Sequence, residues 1–206
     1  MPRFFIGPES DDTTRERILK AAILRFSTHS YEQTGFRDLA ADVGVDPAYV
    51  HRCFGSKQKL FHEALKASLR PERLFVGGSD DLPSTLAREV LAECGANEIR
   101  PLDVVIRSFS SPEASRVLSD VLMDDFIAPM VEKRGPLSKK RAALVAALLA
   151  GVGILRDVIG ADPLLDGDEA ETQELIAQAI ENLIDGDADN DLKEQSEPAS
   201  VDDKAE

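Results

Sequence analysis

The chain has no tryptophan, two tyrosines, two cysteines and three histidines in 206 residues. Two cysteines provide no disulfide framework. Metal chemistry is equally poorly supplied. His51 and Cys53 are two apart on one helix and point in different directions, and with His62 they form no second paired ligand set. Cys94 reads as a small buried hydrophobe. No glycine-rich phosphate loop, G-x-S-x-G elbow or H-E-x-x-H pair occurs. Asp80-Asp81 and Asp124-Asp125 read as solvated charges. The longest apolar run, Ala142 to Leu155, stops short of the ~18 residues of a membrane span. Phe4-Phe5-Ile6 is too short for a signal-peptide core. These absences give the expectation of a cytoplasmic protein that is not an enzyme and takes no cofactor or metal.

Alternating runs of Val, Ile and Thr are also missing, whereas Ala and Leu dominate, a composition that favours helices. The expected fold is all-α. The formal net charge is −14, a poor overall balance for a partner of nucleic acid, but its distribution is uneven. Residues 1–70 carry 11 Lys and Arg against 9 Asp and Glu. Residues 71–184 carry 11 against 20, and residues 185–206 carry 2 against 9. The acid lies outside the N-terminal third, and an acidic body confines contact with a polyanion to the other end.

The N-terminal third is strongly punctuated. Residues 1–12, broken by Pro2, Gly7 and Pro8, are expected to be disordered. Thr13 and Glu16 have the spacing of a capping box, and Ile18, Leu19, Ala22, Ile23 and Phe26 recur at helical intervals. Phe36, Leu39, Ala40 and Val43 give a second helix, which Gly44 stops. Asp46 caps a third helix with Pro47 in its first turn, ending near Phe54-Gly55. Ser56 caps a fourth, reaching Leu69 before Pro71. Residues 71–84, with Pro71, Gly77, Gly78 and Pro83, read as a loop. Further helices are expected at about 85–94, 101–109, 112–133, 137–159 and 169–184. The acidic, weakly hydrophobic stretch from Asp185 is expected to be disordered. The resulting division is 13–55, a small three-helix unit, and 56–184, a larger helical unit.

Two short helices joined by a glycine turn suit a helix-turn-helix, in which the second helix enters the DNA major groove. Stepping about 100° per residue along the third helix puts Val50 and Phe54 on one side, with Pro47 and Cys53 flanking them, as a face to pack on the first two helices. Ala48 and Arg52 point the other way, with Tyr49 and His51 beside them. Arg52 can pair with guanine O6 and N7, and Ala48 leaves room for the groove floor or a thymine methyl. The candidate base readers are therefore Ala48, Tyr49 and Arg52. Thr34 at the start of the second helix, Arg37 upon it, His51, and Lys57 in the first turn of the fourth helix are candidate phosphate contacts.

The stretch from Thr34 through Gly35, Phe36, Gly44, Val45, Asp46, Pro47, Tyr49, Val50 and Phe54 to Lys57, followed by Leu60 and Phe61 and preceded by Arg17-Ile18-Leu19, Ala22 and Phe26, resembles the N-terminal domain of the TetR family of transcriptional regulators. The resemblance covers about residues 13–65. The sequence departs from the family pattern at His51, where a phosphate-contacting Tyr is usual, and at Cys53, Gly35 and Ser30, which replace a His or Tyr, a second Thr and a turn glycine. The resemblance implies a ligand-responsive repressor that binds a palindromic operator as a homodimer through its last two helices, about 137–159 and 169–184.

The C-terminal sequence fits that implication. Ala142 to Leu155 is apolar almost all round, so it needs cover on every side. Ala146, Ala147, Ala150 and Gly151 permit close approach of a second helix, and Leu175, Ile176, Ala179, Ile180 and Leu183 supply another apolar stripe. Leu102, Ile106, Phe109, Met123, Phe126 and Met130 are candidates to line a pocket for a small hydrophobic effector, or else to pack as ordinary core. Two alternatives stay open: a helical regulator controlled by protein partners without an effector, and an enzyme carrying an incidental helix-turn-helix.

Overall fold

The computed structural model describes residues 4–5, 12–75, 78, 81–93, 95, 98–135, 137–165 and 168–185, almost all of them helical. Helix α1 (Thr14–Thr28) opens on the capping box: Thr13 Oγ1 accepts from the Glu16 N–H at 3.3 Å, and Glu16 Oε2 accepts from the Thr13 N–H at 2.7 Å. α2 (Phe36–Val43), α3 (Pro47–Phe54) and α4 (Lys57–Leu69) follow. The Ser56 hydroxyl accepts from the Lys59 N–H to start α4.

The expected loop at 71–84 is partly helical. Pro71 opens a short α5 (Pro71–Leu74), and α6 spans Leu82–Leu91 with Pro83 in its first turn. A proline there loses no hydrogen bond, because first-turn N–H groups have no helical partner. α7 (Pro101–Ser108) and α8 (Pro112–Leu122) come next. The helix expected at 112–133 continues through a wider π turn at Met123–Ile127 into α9 (Ala128–Arg134). Pro129 follows that turn and supplies no N–H, and a π turn is one way a helix absorbs such a break. α10 (Lys139–Gly153) runs into a second π turn, Ile154–Ile159, then a 3-10 turn, Asp162–Leu164, and α11 (Glu169–Asp185).

The N-terminal segment expected to be disordered contributes a short strand: β1 (Phe4–Phe5) lies antiparallel to β2 (Glu98–Ile99), Phe4 opposite Ile99. Asp12 is ion-paired to Lys20 at 2.8 Å. The acidic tail beyond 185 and Cys94 lie outside the described residues.

Two apolar cores organise the helices. The first joins α1–α4 to β2, α7 and α8, and buries Phe26, Tyr31, Leu39, Val50, Phe54, Phe61, Ile99, Val104 and Val117. The second joins α5, α6, α9, α10 and α11 through Leu86, Val90, Ile127, Met130, Val145, Leu149 and Ile180. α10 is covered on one side only. Ala142, Val145, Leu149 and Gly153 are buried, while Leu144, and Leu155, Val158 and Ile159 of the π turn that continues it, are exposed. As one folded helix, Lys139–Ile159 is 21 residues long and contains an 18-residue stretch of mean hydropathy 2.1, enough by length and composition to cross a membrane, and only 22% of that stretch is buried.

Candidate nucleic-acid interface

The turn between α2 and α3 is made by backbone geometry. Gly44 sits at φ 76°, a left-handed conformation that glycine adopts without a Cβ penalty. Its N–H and that of Val45 both donate to the Ala40 carbonyl at 2.9 Å. Asp46 Oδ1 then accepts from the Ala48 N–H at 2.7 Å and starts α3. Val50 and Phe54 turn inward, and Ala48, His51 and Arg52 outward. The far end of α3 is also held: the Arg15 guanidinium lies 4.6 Å above the Phe54 ring and pairs with Glu63 of α4 at 2.6 Å. The recognition helix is thus wedged between α1 and α4 with one long side free.

That free side carries the three residues expected to read bases. Arg52 lies over the Tyr49 ring at 5.4 Å, so the half-buried Tyr49 supports the guanidinium from below. His51 is edge-on to Phe36 of α2, 6.0 Å between ring centres. Arg37 is exposed, and the nearby acids Asp38 and Asp42 are engaged elsewhere. Asp38 accepts from the Gly35 N–H at 2.9 Å, which compensates for the missing capping side chain at Gly35, and Asp42 pairs with Arg25. No described residue pairs with Arg37.

Thr34 is placed differently from the expectation. It is 1% exposed, and its hydroxyl donates to the Ser30 carbonyl at 3.2 Å. The side chain braces the α1–α2 turn, and what remains at that corner for an anion is the set of first-turn amides of α2, which have no partner within the helix. Lys57 is half-buried, its ammonium 4.2 Å from the centre of the Tyr31 ring. Desolvation holds its pKa below the ordinary lysine value, against the opposing pull of Glu32, Glu113 and Asp38.

Comparison with known families decides the class. A family model described as bacterial regulatory proteins, tetR family, matches residues 18–64, and one described as tetracyclin repressor-like, C-terminal domain, matches residues 80–184. The chain belongs to the TetR family. It is a DNA-binding transcriptional regulator with an N-terminal helix-turn-helix and a helical C-terminal domain. Solved structures share the fold. A TetR-family regulator from Streptomyces coelicolor A3 is 24% identical, with 86% of this chain and 98% of that chain covered and a TM-score of 0.52. NemR of E. coli in its reduced form is 15% identical over 84% of this chain and 98% of its own, TM-score 0.62. NalD, the secondary repressor of the MexAB-OprM multidrug efflux pump in Pseudomonas aeruginosa, is 22% identical over 80% and 95%, TM-score 0.55. No curated protein matches the chain.

The C-terminal candidates of this TetR-family chain do not form one lined pocket. Met130 is fully buried in the second core, and Phe126 packs beside it, edge-on to Phe75 at 5.8 Å. Phe109 is 58% exposed and Met123 39%. Ile106 is half-buried. Leu102 stands apart, against α10, in a cleft lined also by Val90, Arg100, Pro101, Gly153 and Asp157. That cleft has about 10 Å³ of free volume, room for about one water. A Cβ built on Gly153 would lie 2.4 Å from Leu102 Cδ1, so the Leu102 side chain fills the space that a side chain at position 153 would need.

Several contacts escaped the sequence. Asp125 is not a freely solvated charge: it pairs with Lys66 of α4 at 2.7 Å, and its side chain is 16% exposed. Tyr31 donates to Glu113 at 3.3 Å across 82 residues of chain, and Ser111 to Glu32 at 2.7 Å across 79. The pairs in question have no spacing rule to betray them.

Proposed function

We propose that the protein is a homodimeric repressor that acts in the cytoplasm on a near-palindromic operator. The observation that carries this reading is the outward side of α3, where Ala48, Tyr49 and Arg52 present a small residue, an aromatic support and a guanidinium toward a groove while Val50 and Phe54 anchor the helix. Arg37, His51 and Lys57 hold phosphates around it, and at the Thr34 corner the first-turn amides of α2 take that role. The head at 13–55 reads DNA, and the body at 56–184 supplies control and dimerisation.

Dimerisation is supported by α10. A soluble chain does not leave Leu144, Leu155, Val158 and Ile159 together on one helix without cover, and Leu175 of α11, 59% exposed, adds to the apolar surface. A second copy packed on α10 and α11 would cover them and set two recognition helices about one helical turn of DNA apart.

Control by a small hydrophobic effector is the finer part of the reading, and it requires space between α7 and α10 beyond the present cleft at Leu102. The tight contact of Gly153 with Leu102 favours, as a second reading, a regulator controlled by protein partners. Selection of operators from a random DNA library with the purified full chain tests the main proposal. The expected product is an inverted repeat. A single unrepeated site, or none, counts against a dimeric reader. Thermal shift against apolar ligands separates the two modes of control, since a ligand at 100 times its Kd stabilises by about 2.7 kcal/mol.

A further inference from the structure

Lys57 has surroundings unusual for a group expected to grip DNA. Three acidic side chains, Glu32, Glu113 and Asp38, act on its charge through space, yet no described carboxylate is recorded within ion-pair distance of its ammonium. Each acid is occupied. Glu113, in the first turn of α8, accepts the Tyr31 hydroxyl at 3.3 Å. Glu32 accepts the Ser111 hydroxyl at 2.7 Å. Asp38 accepts the Gly35 N–H at 2.9 Å. The ammonium rests instead on the face of Tyr31, 4.2 Å from its centre.

Tyr31 is a fixed platform. It is 1% exposed, stacked on Phe26 at 6.0 Å and edge-on to Phe61 at 5.1 Å. Burial and the neighbouring Glu113 and Glu32 carboxylates push its hydroxyl pKa up, so the group remains a proton donor toward Glu113.

We propose that Tyr31 and Glu113 are positioning residues for the DNA clamp: the ring holds the Lys57 ammonium toward the phosphate backbone, and its hydroxyl keeps the Glu113 carboxylate from neutralising it. The inference rests on Lys57 contacting phosphate. Its consequence is that the clamp is wired to α8 in the C-terminal body. Ser111 both caps α8, accepting from the Ala114 N–H at 3.3 Å, and holds Glu32, so a shift of that helix end would release two acids beside Lys57 at once.

The test uses the full chain and duplex DNA of unrelated sequence, with affinity measured as a function of salt. Lys57→Ala is expected to weaken binding and lower the salt slope by about 0.9. Tyr31→Phe keeps the ring but frees Glu113, and is expected to weaken binding on the order of fivefold at low salt. Glu113→Gln removes the competing charge and is expected to strengthen binding by a similar factor, and the double variant to bind at least as well as the parent. Neither change is expected to matter in a Lys57→Ala background. If Lys57→Ala weakens binding but Tyr31→Phe and Glu113→Gln have no effect, or act equally without Lys57, the coupling is wrong and the clamp stands. If Lys57→Ala leaves binding and slope unchanged, the clamp itself is wrong. Circular dichroism and melting of each variant separate these outcomes from loss of fold.

Discussion

Arg52 and Lys57 have different surroundings and should fail differently. Arg52 is exposed and rests on Tyr49. Arg52→Ala is expected to cost about 1–3 kcal/mol on the selected operator and to relax preference at one base position, with little change on unrelated DNA. Equal losses on both would assign Arg52 to phosphate. A second residue-scale prediction concerns pH. Arg25 donates to Asp42 at 2.9 Å and holds the Asp42 carboxyl below its ordinary value of 3.8. A depressed folded pKa means the pair stabilises above the unfolded value and loses that contribution as pH falls through the folded one. Both side chains are partly exposed, so the pair is worth about 1 kcal/mol or less. Asp42→Asn should therefore lower the denaturation midpoint slightly at pH 7, and the gap should narrow progressively as the pH falls below 3.8. A gap that stays constant as acid is added would show that packing, not charge, is lost.

At the scale of elements, the caps are the most exposed to test. Nothing lies within 4 Å of a Cβ built on Gly44, so a substitution there meets no steric wall, only the cost of a left-handed backbone. Gly44→Ala is expected to destabilise by about 1–2 kcal/mol, read as a lower melting temperature, and Gly44→Asn by less. Equal stability would mean the turn can re-form without a positive φ. The caps also explain what was legible in advance. Thr13 with Glu16, Gly44, Asp46 with Pro47, and Ser56 act over two to four residues, so sequence spacing specifies them, and α1, α3 and α4 begin, and α2 ends, where they predict. The outward side of α3 was legible for the same reason, since Val50 and Phe54 fix its rotation. Pro83 misled because proline suits a loop and a first helical turn equally well. Thr34 differs from the expected phosphate contact because a threonine before a helix can turn its hydroxyl outward to an anion or, as here, back to the preceding carbonyl. The Tyr31–Glu113 and Lys66–Asp125 contacts were illegible because they depend on how α8 lies along α4, a matter of tertiary packing.

For the whole molecule, the surface to test is the proposed subunit contact on the exposed side of Lys139–Ile159. Leu155 is 46% exposed, so a lysine there should leave the single chain folded. Leu155→Lys is expected to give a monomer by light scattering with unchanged helical content, and to lower operator affinity by at least tenfold or so, because a dimer grips two half-sites together. A Leu155→Lys protein that remains dimeric would move the subunit contact away from the π turn that continues α10.

The first core has a practical bearing on rebuilding such regulators. Phe26, Tyr31 and Phe61 from the N-terminal helices share their packing with Ile99, Val104, Ala114 and Val117 from much later in the chain. A chimera made by grafting residues 1–70 onto a foreign body would present that apolar patch to mismatched side chains. Swapping the DNA head alone is therefore not a modular operation, and a working graft would have to carry the facing residues of β2, α7 and α8 along with it.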